Sequence, residues 1–272
     1  MRFVLVLHSL IAFASILSGP FLCPQRYFLS SGHHQESIGL TRASRKSLNE
    51  ATLRQIANEI TVEIIAEDRK YGSGIIVASY ENQYTVVTNE HVVFSGNSIR
   101  IVAHDGQAYD AQKLPLINSE EFDLAILQFS SNTRYLVADY NASQYNSIVG
   151  DIVFASGYPA TEDTSEYSEF TFVSGQIGMI TNAFIEGGYQ IGSTLDLEKG
   201  MSGGPLLNAD GEVIGINGMH KYPLWGNPYV FTDGTIASEE RRAQMEQYSW
   251  SIPSSLLFQL LTSTINRGSG YP

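Results

Sequence analysis

A serine stands among glycines in Gly200-Met201-Ser202-Gly203-Gly204-Pro205-Leu206-Leu207. A hydroxyl set this way suits nucleophilic attack on a carbonyl. The oxyanion that forms must meet backbone N–H donors, and bulky side chains on the donor residues would obstruct it. The same residues also read as an ordinary turn. The choice depends on whether the chain supplies a base and a group to orient it, because a serine hydroxyl is a weak nucleophile at neutral pH. The usual activator is a histidine held in one tautomer by a carboxylate.

The chain has six histidines. His8 lies in the apolar N-terminal run, and His33 and His34 lie in a polar stretch and read as a solvated pair rather than a metal site. His104 stands beside Asp105-Gly106, which reads as a surface turn. His220 follows the strand after Ser202 and either lines a pocket or faces solvent. His91 differs, since it directly follows a strand pattern in Val86-Val87-Thr88-Asn89-Glu90-His91-Val92-Val93. Asp123 opens the apolar run Leu124-Ala125-Ile126-Leu127, as a solvated strand end or as a buried carboxylate facing an imidazole. Alone, each residue has a purely structural reading. Together they form the order His91, Asp123, Ser202, with separations of 32 and 79 residues. The first two belong to one β series and the serine to another, so the site is expected in the cleft between them.

The elements that must place these residues are mostly strands. Ser47 and Glu50 have capping-box spacing, and Leu48, Leu53, Ile56 and Ile60 follow at helical intervals, which predicts a short helix over about 48–58. Strands are expected at 60–65, 74–79, 83–88, 98–103, 108–113 and 124–129, where β-branched residues alternate with turn signals. A second series is expected at 151–156, 170–180, 189–193, 205–207, 213–216 and 229–231. Ile236–Gln247 reads as a short surface helix and Ile252-Pro253 as the start of a closing helix with Leu256, Leu257, Leu260 and Leu261 on one side. No regular helical crossovers support a parallel α/β sheet, so the class is all-β, with each series a barrel or sandwich.

Five segments carry a family resemblance: Gly72-Ser73-Gly74-Ile75-Ile76, Thr88-Asn89-Glu90-His91-Val92-Val93, Asp123-Leu124-Ala125-Ile126-Leu127, Gly200-Met201-Ser202-Gly203-Gly204-Pro205 and Gly215-Ile216-Asn217-Gly218. They resemble the trypsin-like serine peptidases, in the disulfide-free bacterial branch related to the HtrA proteases, over about residues 60–262. The resemblance implies two six-stranded antiparallel β-barrels, with a short N-terminal and a C-terminal helix. It implies a protease domain over 47–272, with a first barrel at about 60–130, a second at about 148–250 and a C-terminal helix at about 252–263. It also implies peptide-bond hydrolysis by His91, Asp123 and Ser202, with Gly200 and Ser202 N–H groups as the oxyanion hole and no metal or cofactor. HtrA proteases usually carry a PDZ domain after the protease; none is expected here. Met201 stands where animal trypsins place an aspartate that pairs with a newly cut N-terminus, so that form of activation is not expected.

For the substrate pocket, Asp196 stands six residues before Ser202, the offset at which trypsin places its Arg- and Lys-selecting aspartate. The alternative is a solvated Asp196 or a pair with Lys199. Asn217 and His220 are further pocket candidates. Asn217 appears where glutamate-cleaving relatives have a histidine, which disfavours that preference.

Composition limits the remaining choices. A net charge of −12 without a long basic cluster excludes nucleic acid and anionic membrane as expected partners, and leaves a protein or peptide substrate. Met1-Arg2, the apolar run 3–17 and Ser18-Gly19-Pro20 read as a secretory signal over 1–23. Export to the periplasm or medium follows, the alternative being an uncleaved membrane anchor. Residues 24–46 read as a linker. Cys23 is the single cysteine, so no intrachain disulfide can form. The acidic segment 162–169 reads as a solvated loop or as a control element. The rival function is a latent or non-catalytic binding protein on the same barrels. An α/β esterase is disfavoured because its serine leads into a helix, whereas Ser202 leads into a strand pattern.

Overall fold

The computed structural model describes residues 47–66, 70–94, 98–116, 121–139, 147–160, 168–222 and 227–260. The expected signal, the linker with Cys23, His33 and His34, most of the acidic segment, and residues 261–263 of the closing helix lie outside these residues.

Helix α1 (Glu50–Ile60) precedes twelve strands. The first six are β1 (Thr61–Ala66), β2 (Lys70–Tyr80), β3 (Gln83–Thr88), β4 (Ile99–Val102), β5 (Ala108–Leu114) and β6 (Ala125–Ser130). They close into an antiparallel barrel in the order β1-β2-β3-β6-β5-β4, with β4 paired back to β1. The second six are β7 (Ile152–Gly157), β8 (Thr171–Ile185), β9 (Tyr189–Ser193), β10 (Pro205–Leu207), β11 (Val213–Met219) and β12 (Ser249–Pro253). Their circuit, β7-β8-β9-β12-β11-β10, repeats the first with every label raised by six, and β10 closes on β7. The expected all-β fold of two six-stranded antiparallel barrels is the observed one.

The continuous apolar runs follow from burial on both strand faces. Side chains alternate across a strand, so neighbours enter different cores. Ile76, Val86 and Leu127 fill the first barrel, whereas Ile75, Val87 and Ile126 pack outside it in a core shared with the second. That shared core also takes Leu53 and Ile60 from α1, Leu207, Ile216, Trp250 and Ile252. Val153, Ile177, Ile191, Leu206 and Ile214 fill the second barrel. The barrels are thus joined by an apolar layer, with a polar link where Thr61 and Ser156 hydroxyls meet at 2.8 Å.

Three local expectations need correction. Helix α1 is capped by Asn49, whose Oδ1 accepts from the Thr52 N–H at 2.9 Å, rather than by Ser47. Residues 229–231 form only isolated bridges. The last strand of the second barrel is β12, between β9 and β11, where Ile252 and Pro253 end a strand and the helix begins at 254. A proline at the last strand position masked it, because proline there suggests a helix start. Helix α3 (Glu239–Met245) matches the expected surface helix and is capped by Ser238. No helix among the described residues is long and apolar enough to cross a membrane.

Trp250 is fully buried, and its indole N–H donates to the Met245 carbonyl at 3.1 Å. Trp250→Ala is expected to cost about 3–5 kcal/mol, measured as a lowered urea midpoint.

Candidate active site

Strand β3 delivers the chain to Asn89, which begins the single-turn helix α2 (Glu90–Val93). Val92 and Val93 are buried against the first barrel, which leaves His91 turned outward with its side chain 49% exposed. Asp123 lies just before β6, and β3 and β6 are paired from Thr88 and Ala125 onward, so the ladder brings the two residues together. His91 Nδ1 lies 2.6 Å from Asp123 Oδ2, and the His91 backbone N–H donates to Oδ1 at 2.9 Å. The Asn89 amide donates to the Asp123 carbonyl at 2.9 Å. A further donor comes from the second barrel, where the Tyr189 hydroxyl bonds to Asp123 Oδ2.

Burial alone would raise the Asp123 carboxyl. The hydrogen bond and charge of His91, with the Tyr189 hydroxyl, outweigh it and hold the group below its ordinary 3.8. Burial, and then the Asp123 charge, pushes the Tyr189 phenol well above its ordinary value, so it stays a donor. With Asp123 ionised, it accepts from an Nδ1–H of His91, which leaves Nε2 on the far side as the basic nitrogen.

The Ser202 loop is held by contacts on its carbonyl side. Ser73, fully buried on β2, donates its N–H to the Ser202 carbonyl and its hydroxyl to the Gly200 carbonyl, both at 2.8 Å. The same hydroxyl accepts from Tyr158 N–H at 2.9 Å, and Thr88 donates to the Ser73 carbonyl at 2.7 Å. In a trans peptide C=O and N–H point opposite ways. The Lys199 carbonyl accepts from Ala160 N–H at 2.7 Å and the Met201 carbonyl from Gly204 N–H at 3.1 Å. The N–H groups of Gly200 and Ser202 are therefore turned away from these anchors, and neither has an acceptor among the described residues. Gly200 has φ +99° and Gly203 φ +87°, the left-handed region. A Cβ on Gly203 would also stand 2.1 Å from the Ser73 carbonyl oxygen, so this loop tolerates no side chain there.

Met201 is fully buried, with its Sδ 3.4 Å from the Glu198 N–H. An apolar side chain under the loop replaces a charged anchor, at a burial gain of about 1.5–3 kcal/mol. The Ser202 hydroxyl donates to the Gly218 carbonyl at 3.3 Å rather than to His91.

The pocket candidates are placed differently from expectation. Asp196 is 94% exposed, and its carboxylate lies 3.6 Å from Lys221 Nζ, so its charge faces solvent. Asn217 is fully buried, donating to the Pro205 carbonyl and accepting from the Ser251 hydroxyl at 2.8 Å each. Both ends of its amide brace the barrel. His220 is half-buried, with Nδ1 3.0 Å from the Leu197 carbonyl. Sequence reasoning assigned no role to Ser73 or Tyr189. The available signals were a serine between two glycines in Gly72-Ser73-Gly74 and a tyrosine just after Gly187-Gly188.

Two outcomes follow. Ser73→Ala leaves the Tyr158 N–H unpaired and frees the Gly200 carbonyl. It is expected to cost about 1–3 kcal/mol in urea unfolding while slowing any chemistry at Ser202. The Asp123 carboxyl holds its proton less tightly when folded, so its stabilisation is present above the ordinary value of 3.8 and fades as pH falls through the lower folded value. Asp123→Asn is expected to flatten that part of the acid unfolding curve.

Residues 72–216 match the trypsin-like peptidase domain family. The chain is 34% identical over 152 residues to the serine protease Do-like HtrA of Bacillus subtilis, covering 54% of this chain and 33% of that protein. It is 33% identical over 150 residues to the periplasmic pH-dependent serine endoprotease DegQ of Escherichia coli, covering 54% of this chain and 30% of that protein. It is 31% identical over 201 residues to a probable periplasmic DegP-like serine endoprotease of Brucella suis, covering 73% of this chain and 33% of that protein. The matched regions span about a third of these relatives' length. Among solved structures, a serine endoprotease from Yersinia pestis superposes with a TM-score of 0.60 at 21% identity, covering 81% of this chain and 68% of that one, and shares the fold. With both barrels and the matched span in hand, the chain belongs to the trypsin-like peptidase domain family.

Proposed function

We propose that the protein is a serine endopeptidase, with Ser202 as nucleophile, His91 as general base and Asp123 as the group that orients it. The observation that carries this reading is a carboxylate-oriented His91 together with a glycine-framed serine loop whose Gly200 and Ser202 N–H groups have no acceptor among the described residues. In this mechanism Ser202 Oγ attacks the scissile carbonyl and His91 Nε2 takes its proton. Asp123 stabilises the imidazolium through the Nδ1–H bond. The oxyanion is met by the N–H groups of Gly200 and Ser202, each donor of this kind being worth about 3–4 kcal/mol. His91 then protonates the leaving amine, and water attacks the acyl-serine by the same route.

The Ser202 hydroxyl rests on the Gly218 carbonyl, so attack requires it to turn toward His91. A resting bond of this kind is compatible with catalysis, because catalytic hydrogen bonds often tighten only when substrate arrives. It also favours a second reading, a site that stays latent until an occupant displaces the hydroxyl. Asp196, solvated beside Lys221, gives no support for an Arg- or Lys-selecting pocket. The apolar N-terminal run and the periplasmic designation of the DegQ and DegP-like relatives support export to the periplasm.

A fluorophosphonate probe tests the reading. Wild type is expected to label, and Ser202→Ala and His91→Ala are not. Equal labelling of wild type and Ser202→Ala would remove the nucleophile assignment, and specific labelling without cleavage of any peptide library would favour latency. Where peptides are cut, Asp123→Asn is expected to lower kcat by about 10⁴, and arginine at the cleaved position to give no advantage over uncharged side chains.

A further inference from the structure

We propose that Tyr189 is a positioning residue for the His91–Asp123 pair, reaching across from the second barrel to hold the Asp123 carboxylate on the imidazole. The proposal rests on the catalytic reading above and adds to it a residue outside the triad.

Three observations converge on it. First, the β8–β9 hairpin docks directly on Asp123. Its tip carbonyl, Gly187, accepts from the Asp123 N–H at 2.9 Å, and Phe122 bridges to Gly187 in parallel register. Tyr189 begins β9 two residues after that contact, so backbone and side chain of one hairpin grip the same residue. Second, the Tyr189 side chain is buried, and its hydroxyl bonds to Asp123 Oδ2, the oxygen that also faces His91 Nδ1. Third, β11 leaves room for it. A Cβ on Gly218 would stand 2.3 Å from the Tyr189 hydroxyl oxygen, so the phenol occupies the space that a side chain at 218 would take. The Gly218 carbonyl is also the group that holds the Ser202 hydroxyl.

The chemistry of such a donor has two parts. A carboxylate held by His91 N–H on Oδ1 and by Tyr189 on Oδ2 cannot rotate without breaking one of the two bonds. The phenol also draws charge from Oδ2, which tempers the pull of Asp123 on a protonated imidazole. Removing it is therefore expected to loosen the pair and to make the imidazolium easier to form. The other charged groups on these segments are Glu90, paired with Lys113, Glu121, exposed just before Asp123, and Glu186, exposed at the hairpin. None of these four has a hydrogen bond to the His91 or Asp123 side chains.

Tyr189→Phe keeps the ring and deletes the hydroxyl. It is expected to lower kcat about 10-fold with KM within twofold, and to move the acid limb of kcat/KM upward by about half a pH unit. Gly218→Ala, which pushes a methyl against the phenol, is expected to move the limb the same way. A purely structural Tyr189 would leave the limb in place, and an unmoved limb with kcat within twofold of wild type would overturn the proposal. A second readout needs no turnover. In folded Ser202→Ala protein, the low-field proton resonance of the His91 Nδ1–H is expected to shift when Tyr189→Phe is added, and an unchanged resonance would also overturn it. A wild type that neither labels nor cuts, yet shows this shift, would defeat the catalytic reading and leave Tyr189 as the holder of the pair.

Discussion

Ser73 carries the constraint on which the rest of the site depends. The loop around Ser202 belongs to no strand or helix, so no repeating ladder fixes its peptide planes. Ser73 fixes them from outside, with its N–H on one loop carbonyl and its hydroxyl on another. The carbonyls of Lys199 and Met201 are anchored as well, and because they share their peptide planes with the Gly200 and Ser202 N–H groups, those N–H groups point to the opposite side. Preorganised donors of this kind need no rearrangement when charge develops, which is why they act strongly in a site of low polarity. Ser73 belongs to the first barrel and Ser202 to the second, so the loop is correctly shaped only when the barrels are docked.

The same dependence appears at Asp123. Its ladder partner supplies His91 from within the first barrel, while Gly187 and Tyr189 reach it from the second. Each barrel therefore supplies one half of the proposed machinery and restrains the other half. The apolar layer between them, with Ile75, Val87 and Ile126 on one side and Leu207, Ile216 and Trp250 on the other, keeps both sets of polar contacts in register. Burial of Met201 serves the same end without a charge pair beneath the loop.

Much of this was readable from residues alone. Two-sided burial left continuous runs such as Ile75-Ile76-Val77 and Leu124-Ala125-Ile126-Leu127, and these mark strands without ambiguity. Glycines around Ser202 and the position of His91 after a strand pointed to the site. Pattern reasoning failed where a residue's meaning depends on a distant partner. Ser249–Pro253 alternates small and bulky residues as a strand should, but Pro253 resembled a helix start, and only pairing with β9 and β11 makes it a strand of the second barrel. Asn217, close in sequence to the expected pocket, proved to be tied to Pro205 and Ser251.

The sequence by itself determined the strand content, the residue types available for nucleophilic chemistry, and the absence of a carboxylate at Met201. Local chain properties suffice for these, since alternation, glycine freedom and side-chain identity are encoded within a few residues. Only the tertiary structure decided that Asp196 faces solvent beside Lys221, that Ser73 shapes the serine loop, and that Tyr189 shares Asp123 with His91. Those outcomes rest on contacts between residues 25 to 129 positions apart, and nothing in the local chain sets such a distance until two closed barrels bring the residues together.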